Sequence, residues 1–125
     1  MSKKPLIIST DPGIDDIAAM TISLFADELD VKMIVPTWGN VSLAHTLQNT
    51  LDLENFLHTK VPVVKGANQP LVRPAISAAS VHGETGIAGF EFEKASDELL
   101  EPGLAATKMY EAIKNSPEKV TLLGV

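Results

Sequence analysis

The chain of 125 residues contains no cysteine, which excludes a disulfide framework and any thiolate metal site. It also lacks long hydrophobic runs. The basic start Met-Ser-Lys-Lys-Pro is followed only by Leu6-Ile7-Ile8 before polar residues intervene, too short for the apolar region of a signal segment. No later stretch approaches the roughly 18 apolar residues of a membrane span. Positive charge is in deficit: ten Lys and Arg stand against sixteen Asp and Glu, a formal net charge of -6. Such a balance opposes nucleic-acid backbones and anionic membrane surfaces more than it attracts them. Neither an internal repeat nor a low-complexity tract is present. These absences predict a cytoplasmic protein with no nucleic-acid or membrane partner. What is there, 45% apolar and 21% charged residues, is the balance of a globular chain with one core and argues against disorder.

The order of elements follows from hydrophobic patterning. Leu6 to Thr10 reads as a buried strand that meets the turn Pro12-Gly13. From Asp15 to about Ala26 a helix is predicted, with Ile17, Met20 and Leu24 on one face. Val31 to Pro36 is a second strand, Gly39-Asn40 a turn, and Ser42 a candidate N-cap. Leu43, Leu47 and Leu51 recur at helical spacing to about His58, and Val61 to Val64 is a third strand. Gly66 to Phe92 shows no sustained period, and a connection of that length tends to be functional. A helix opens after Glu101-Pro102-Gly103 over Leu104, Ala105, Met109 and Ile113 and is closed by Ser116-Pro117. Lys119 to Val125 is the last strand, and Val120 to Val125 is expected to keep an unpaired edge or an uncovered apolar face. Alternating strands and helices imply an α/β fold, a parallel, Rossmann-like sheet with helices on both faces. Ligands of such sheets collect beyond the carboxyl ends of the strands. Asp11, Asn40 and the loop after Val64 all fall on that edge.

Thr10-Asp11-Pro12-Gly13-Ile14-Asp15-Asp16 puts three carboxylates at a strand-to-helix junction. Acids so close repel one another and raise each other's pKa unless a cation sits among them. Calcium accepts six to eight oxygen ligands in irregular geometry. The simpler reading has Asp15 and Asp16 complementing the helix dipole and Asp11 capping the helix. Asp11 tips the balance, because a Pro-Gly turn directly after an apolar strand can aim all three carboxylates into one pocket. The spacing matches neither an EF-hand loop nor a P-loop. Taken alone, His82 in its loop reads equally well as a surface histidine, Asn40 as an ordinary turn residue and Glu84 as a loop acid. His45 and His58 fall on polar positions of the second helix and receive no role.

Ser9-Thr10-Asp11-Pro12-Gly13-Ile14-Asp15-Asp16 followed by Ile17-Ala18-Ala19 resembles the N-terminal signature of the inosine-uridine preferring nucleoside hydrolases, D-T-D-P-G-x-D-D-A-x-A. Two further segments agree in order and spacing: Trp38-Gly39-Asn40-Val41, and Val81-His82-Gly83-Glu84-Thr85-Gly86 with Gly89-Phe90. The latter, with Phe90-Glu91-Phe92, is most similar to the broad-specificity ribonucleoside branch. The resemblance implies hydrolysis of the N-ribosidic bond of purine and pyrimidine ribonucleosides, with calcium as cofactor and a homo-oligomer in the full-length form. Carried over by position, Asp11 would bind calcium and take a proton from the attacking water, and Asp16 would be a calcium ligand. Asp15 would hold a ribose hydroxyl, Asn40 would position the ribose, and His82 would lie beside the nucleobase. Val125 would give its backbone carbonyl to calcium.

Departures from the signature carry weight too. Ser9 stands where the family commonly has Asp, which removes one acid from the site's border, and Ile17 replaces the usual Ala. Val120 to Val125 looks like the strand that in the family runs into a G-P-L-T-N turn. The family's later calcium-binding Asp, its neighbouring His, and the Asn and Glu that grip the ribose all fall beyond Val125. The expectation is therefore an incomplete nucleoside hydrolase fold, residues 1–125 forming the N-terminal part of a single domain whose C-terminal half is absent, inactive by itself. Two rivals stand beside it. A haloacid-dehalogenase-type phosphatase needs D-x-D-x-T/V, and Gly13 occupies the place of its second Asp. A truncated, non-catalytic remnant or metal-binding fragment of a nucleoside hydrolase would share this sequence.

Overall fold

The computed structural model describes residues 2–125. Five parallel strands form one sheet in the order β4-β3-β2-β1-β5. Along the chain these are β1 (Lys4–Thr10), α1 (Ile14–Phe25), β2 (Leu29–Pro36), α2 (Leu43–Leu57), β3 (Val63–Val64), α3 (Ala79–His82), β4 (Leu100–Glu101), α4 (Ala105–Asn115) and β5 (Thr121–Gly124). β1 lies between β2 and β5, pairing from Lys4 with Leu29 to Thr10 with Pro36 on one side and from Leu6 with Thr121 to Ser9 with Gly124 on the other.

Side chains alternate across the pleat, and β2 uses that alternation to build two cores. Met33 and Val35 join Ile7 and Val64 on the face covered by Ala105, Met109 and Ala112 of α4. Ile34, between them in sequence, faces the other way and packs with Met20 and Leu53, flanked by Ile17 and Leu24 of α1 and Leu57 of α2. Helices therefore cover both faces, as the patterning predicts. Ile7, Ile8, Ile34 and Met20 are wholly inaccessible, and full burial of each such side chain contributes about 1.5–3 kcal/mol.

Several boundaries move. β1 and β2 begin earlier than expected, at Lys4 and Leu29, whereas β3 is confined to Val63–Val64. The long loop contains the single turn α3, and β4 pairs Val63 with Leu100 and Val64 with Glu101. Ser42 holds the N-cap position of α2, but its side chain makes no capping hydrogen bond. β5 is shorter than Lys119 to Val125 but has the open edge expected of it: it pairs with β1 alone among the described residues, and Leu122 is half exposed. An edge strand with one neighbour cannot bury its residues as a central strand does. Among the described residues no helix is long and apolar enough to cross a membrane.

Candidate active site

The acidic turn leaves β1 at Thr10 and enters α1 through Gly13, the N-cap residue. Asp16 occupies the third position of the helix and reaches back, its Oδ2 accepting the Gly13 N–H at 3.0 Å. That is the carboxylate half of a capping box. Asp11 does not cap the helix. Its Oδ2 accepts the backbone N–H of Asn40 at 2.8 Å, across from the turn that follows β2. The Asn40 side chain completes the link, its Nδ2 donating to the Asp11 carbonyl at 2.8 Å and to Asp16 Oδ2 at 3.1 Å. Glycine is required on both sides of this contact. A Cβ on Gly13 would lie 2.7 Å from His82 Nδ1 and 2.8 Å from Asn40 Nδ2, and one on Gly39 would run into the Asp11 side chain.

The carboxyl edge of the sheet thus brings Asp11, Asp16, Asn40 and His82 together. His82 arrives from α3, its Nδ1 accepting the Ile14 N–H at 3.3 Å. Its loop is tied to the Asn40 carbonyl, which accepts from Ala78 N–H at 2.7 Å and Ser77 Oγ at 3.1 Å. Asp15 stands exposed on the first turn of α1, outside this hydrogen-bonded cluster. Val125 extends the β1–β5 ladder, its N–H donating to the Ser9 carbonyl at 3.0 Å, which sets it next to the acidic turn. Glu84, His45 and His58 are exposed.

Asp16 is 3% exposed, and burial holds its pKa above the ordinary carboxylate range; the Gly13 N–H opposes that rise, and the charges of Asp11 and Asp15 reinforce it. The Thr10 hydroxyl favours the Asp16 anion weakly, although Thr10 Oγ1 is buried without a partner of full hydrogen-bond geometry. A cation beside Asp11 and Asp16 would reverse the electrostatic penalty. The hydrogen bonds to both carboxylates fall on Oδ2, so Oδ1 of each is the atom free to meet one. Among the described residues no three His, Cys, Asp or Glu side chains group closely enough to hold a metal ion. The donor chemistry, hard oxygens from two aspartates, suits calcium or magnesium and supplies part of the six to eight ligands calcium takes.

The match to the family model for the inosine-uridine preferring nucleoside hydrolases runs over residues 6–125. The chain belongs to this family. Among its relatives is the non-specific ribonucleoside hydrolase RihC of Klebsiella pneumoniae subsp. pneumoniae, 43% identical over 97% of this chain and 40% of the relative. RihC of Escherichia coli strain SE11 is 42% identical over the same shares. The chain spans about two fifths of the length of these curated relatives. Of solved structures, the plant nucleoside hydrolase PpNRh1 superposes with a TM-score of 0.86 at 30% identity, covering 98% of this chain and 39% of that one. An inosine-guanosine nucleoside hydrolase shares the fold, with a TM-score of 0.88 at 23% identity over 97% of this chain and 39% of that one. The parallel sheet with its acidic turn at the carboxyl edge is thus that of an α/β nucleoside hydrolase fold, present here in part.

Sequence reasoning missed Asn49. It sits in the middle of α2, 2% exposed, and its Nδ2 donates to the carbonyls of Pro12 at 3.2 Å and Thr85 at 2.6 Å. The signal was there: Thr46, Asn49 and Leu53 share a helical face by their spacing of three and four, and all three are buried. The leucine stripe at 43, 47 and 51 drew attention to the neighbouring face instead.

Proposed function

We propose that this chain supplies the metal-binding and ribose-binding side of an enzyme that hydrolyses the N-glycosidic bond of purine and pyrimidine ribonucleosides. The observation that carries this is the Asn40 bridge, which joins Asp11 and Asp16 at the carboxyl edge beside His82. The names of the relatives, non-specific ribonucleoside hydrolases, support a broad range of bases. Calcium is the proposed cofactor, held by Asp11, Asp16 and the Val125 carbonyl; when bound, it orients a water and makes it more acidic.

The remaining steps fall to the chain's own groups. Asp11, held by the Asn40 N–H at Oδ2, takes the proton of the attacking water as general base. Asp15, exposed at the start of α1, accepts a hydrogen bond from a ribose hydroxyl, and Asn40 helps position the sugar. The anionic cluster favours the positive charge that develops on the ribosyl group as its bond to the base breaks. His82 accepts the Ile14 N–H at Nδ1, which leaves Nε2 as the ring atom that can hydrogen-bond to the nucleobase.

The ligands these residues do not supply belong to the rest of the family's length. The test is inosine and uridine cleavage, read by reducing-sugar release, from the 125-residue chain and from the chain joined to a family C-terminal half. The joined protein is expected to turn over both nucleosides, and chelation and Asp11→Asn to abolish it. The short chain is expected to show none, since misplacing a reacting group by about 1 Å already costs on the order of a hundredfold. Absence of turnover by the joined, folded protein on any ribonucleoside would favour the non-catalytic, metal-binding reading.

A further inference from the structure

We propose that Asn49 is a positioning residue that fastens the His82 loop to the acidic turn, so that the metal side and the base side of the site hold one geometry. This deepens the proposed function, because the base-side role of His82 rests on that reading.

The carboxamide is buried, and both of its acceptors are main-chain carbonyls, Pro12 in the acidic turn and Thr85 in the His82 loop. Turning the amide over would set its oxygen against two carbonyl oxygens, so the donors face them by chemical necessity. Gly86 makes the approach possible. Its φ is +90°, and a Cβ there would sit 3.0 Å from Val41 Cγ2, 3.1 Å from the Pro12 carbonyl and 3.3 Å from Asn49 Nδ2. Pro12, Asn49 and Gly86 therefore meet at one point, drawn from the acidic turn, α2 and the loop.

Fixing Thr85 and Gly86 fixes His82 because the loop is closed on itself. Ala88 N–H donates to the His82 carbonyl at 2.9 Å and Gly86 N–H to the Gly83 carbonyl at 3.1 Å. Beyond it, Phe90 and Phe92 stack edge to face with each other and with Phe56 of α2, an apolar contact that holds the loop's far end without orienting His82. The direct link from His82 to the acidic turn, the Ile14 bond, is exposed and 3.3 Å long, beyond the usual range for N–H donors. The Thr85 bond at 2.6 Å is shorter, and it holds the loop after His82 as the Asn40 carbonyl, through Ala78 and Ser77, holds the loop before it.

The test reads the ring and the loop, not hydrolysis, so it stands or falls separately from the enzymatic reading. Asn49→Asp keeps the shape, removes both donors and places an acid against two carbonyls. By heteronuclear NMR, His82 in the unaltered chain is expected to show the Nε2–H tautomer, with Nδ1 as acceptor. In Asn49→Asp the tautomers should average, and protection of the Ile14 and Ala88 amides from exchange should fall by about tenfold, while Ile7 and Ile34 stay protected. Gly86→Ala crowds the same junction with Asn49 intact and should give the same pattern; it decides the matter if Asn49→Asp does not fold. An unchanged His82 tautomer in the folded variants would overturn the proposal. So would an even loss of protection through the whole sheet, the signature of a merely structural role.

Discussion

Asn40 and Asp11 hold each other through two hydrogen bonds that run in the same direction. The Asn40 backbone N–H donates to the Asp11 carboxylate and the Asn40 side chain to the Asp11 carbonyl, both at 2.8 Å. The residue after β2 is thereby locked to the residue after β1, and the same Nδ2 reaches Asp16. One asparagine thus does for two acids what a lone carboxylate partner could not: it offers donors without adding negative charge.

Asn40→Ala keeps the backbone donor and removes both side-chain bonds. Buried Asp16 then loses one of its partners, and unfolding free energy should fall by about 1–3 kcal/mol in urea titrations. Asn40→Asp should cost more, since a third carboxylate would face Asp11 and Asp16 with no donor between them. Equal midpoints for all three proteins would mean that the bridge contributes nothing to the fold.

The edge on which this site forms was legible because a strand that ends in Asp-Pro-Gly and a strand that ends in Gly-Asn must, in a parallel sheet, deliver both turns to the same side. The helical faces of Met20 and Leu24 were legible for the same reason of periodicity. β4 was not, because two residues, Leu100 and Glu101, carry no period and are ordered by their pairing with β3. α3 is a single turn, too short for any repeat. The open edge of the last strand was legible as well, because burial of apolar residues depends on neighbours, and β5 has only β1 among the described residues. Asn49 was obscured because a buried polar residue is meaningful only through its partners, here two carbonyls 37 and 36 residues away in sequence.

Glu54 gives a prediction about pH. It is inaccessible to solvent; Oε1 accepts the Val61 N–H at 2.7 Å and the Thr59 hydroxyl at 3.1 Å, while Oε2 is buried without a partner. Burial raises its pKa from 4.5 to about 7 against the opposing pull of those two donors. The folded state therefore binds this proton more tightly than the unfolded chain. Glu54's contribution is fully present below pH 4.5 and is lost as pH rises through about 7, a decline on the order of 3 kcal/mol. Glu54→Gln keeps an acceptor for Val61 and Thr59 and cannot ionise, so its stability should decline less between pH 5 and pH 8. Asp16, also raised, gives a slope of the same sign in both proteins, and the difference between them isolates Glu54. Parallel stability curves would show that Glu54 does not titrate in this window.

Calcium binding is the most direct probe of the acidic turn. The hydrogen bonds on Asp11 and Asp16 lie on Oδ2, so a cation meeting Oδ1 of each would disturb neither the Asn40 bridge nor the Gly13 cap. Few ligands come from this chain, and the affinity should be weak, about millimolar. Titration calorimetry of the unaltered chain against Asp11→Ala and Asp16→Asn should show the heat of binding lost in both. Circular dichroism is needed alongside, because Asp16 also holds the Gly13 N–H, a cap worth about 1 kcal/mol. Asp15→Ala should bind as the unaltered chain does, since its exposed carboxylate lies outside the bridged pair. Magnesium should bind more weakly than calcium, because it demands near-ideal octahedral geometry that two aspartates on one turn do not impose. Undiminished calcium affinity in folded Asp11→Ala would remove Asp11 from the metal site, and with it the proposal that one carboxylate both steadies the cation and takes the proton of the water.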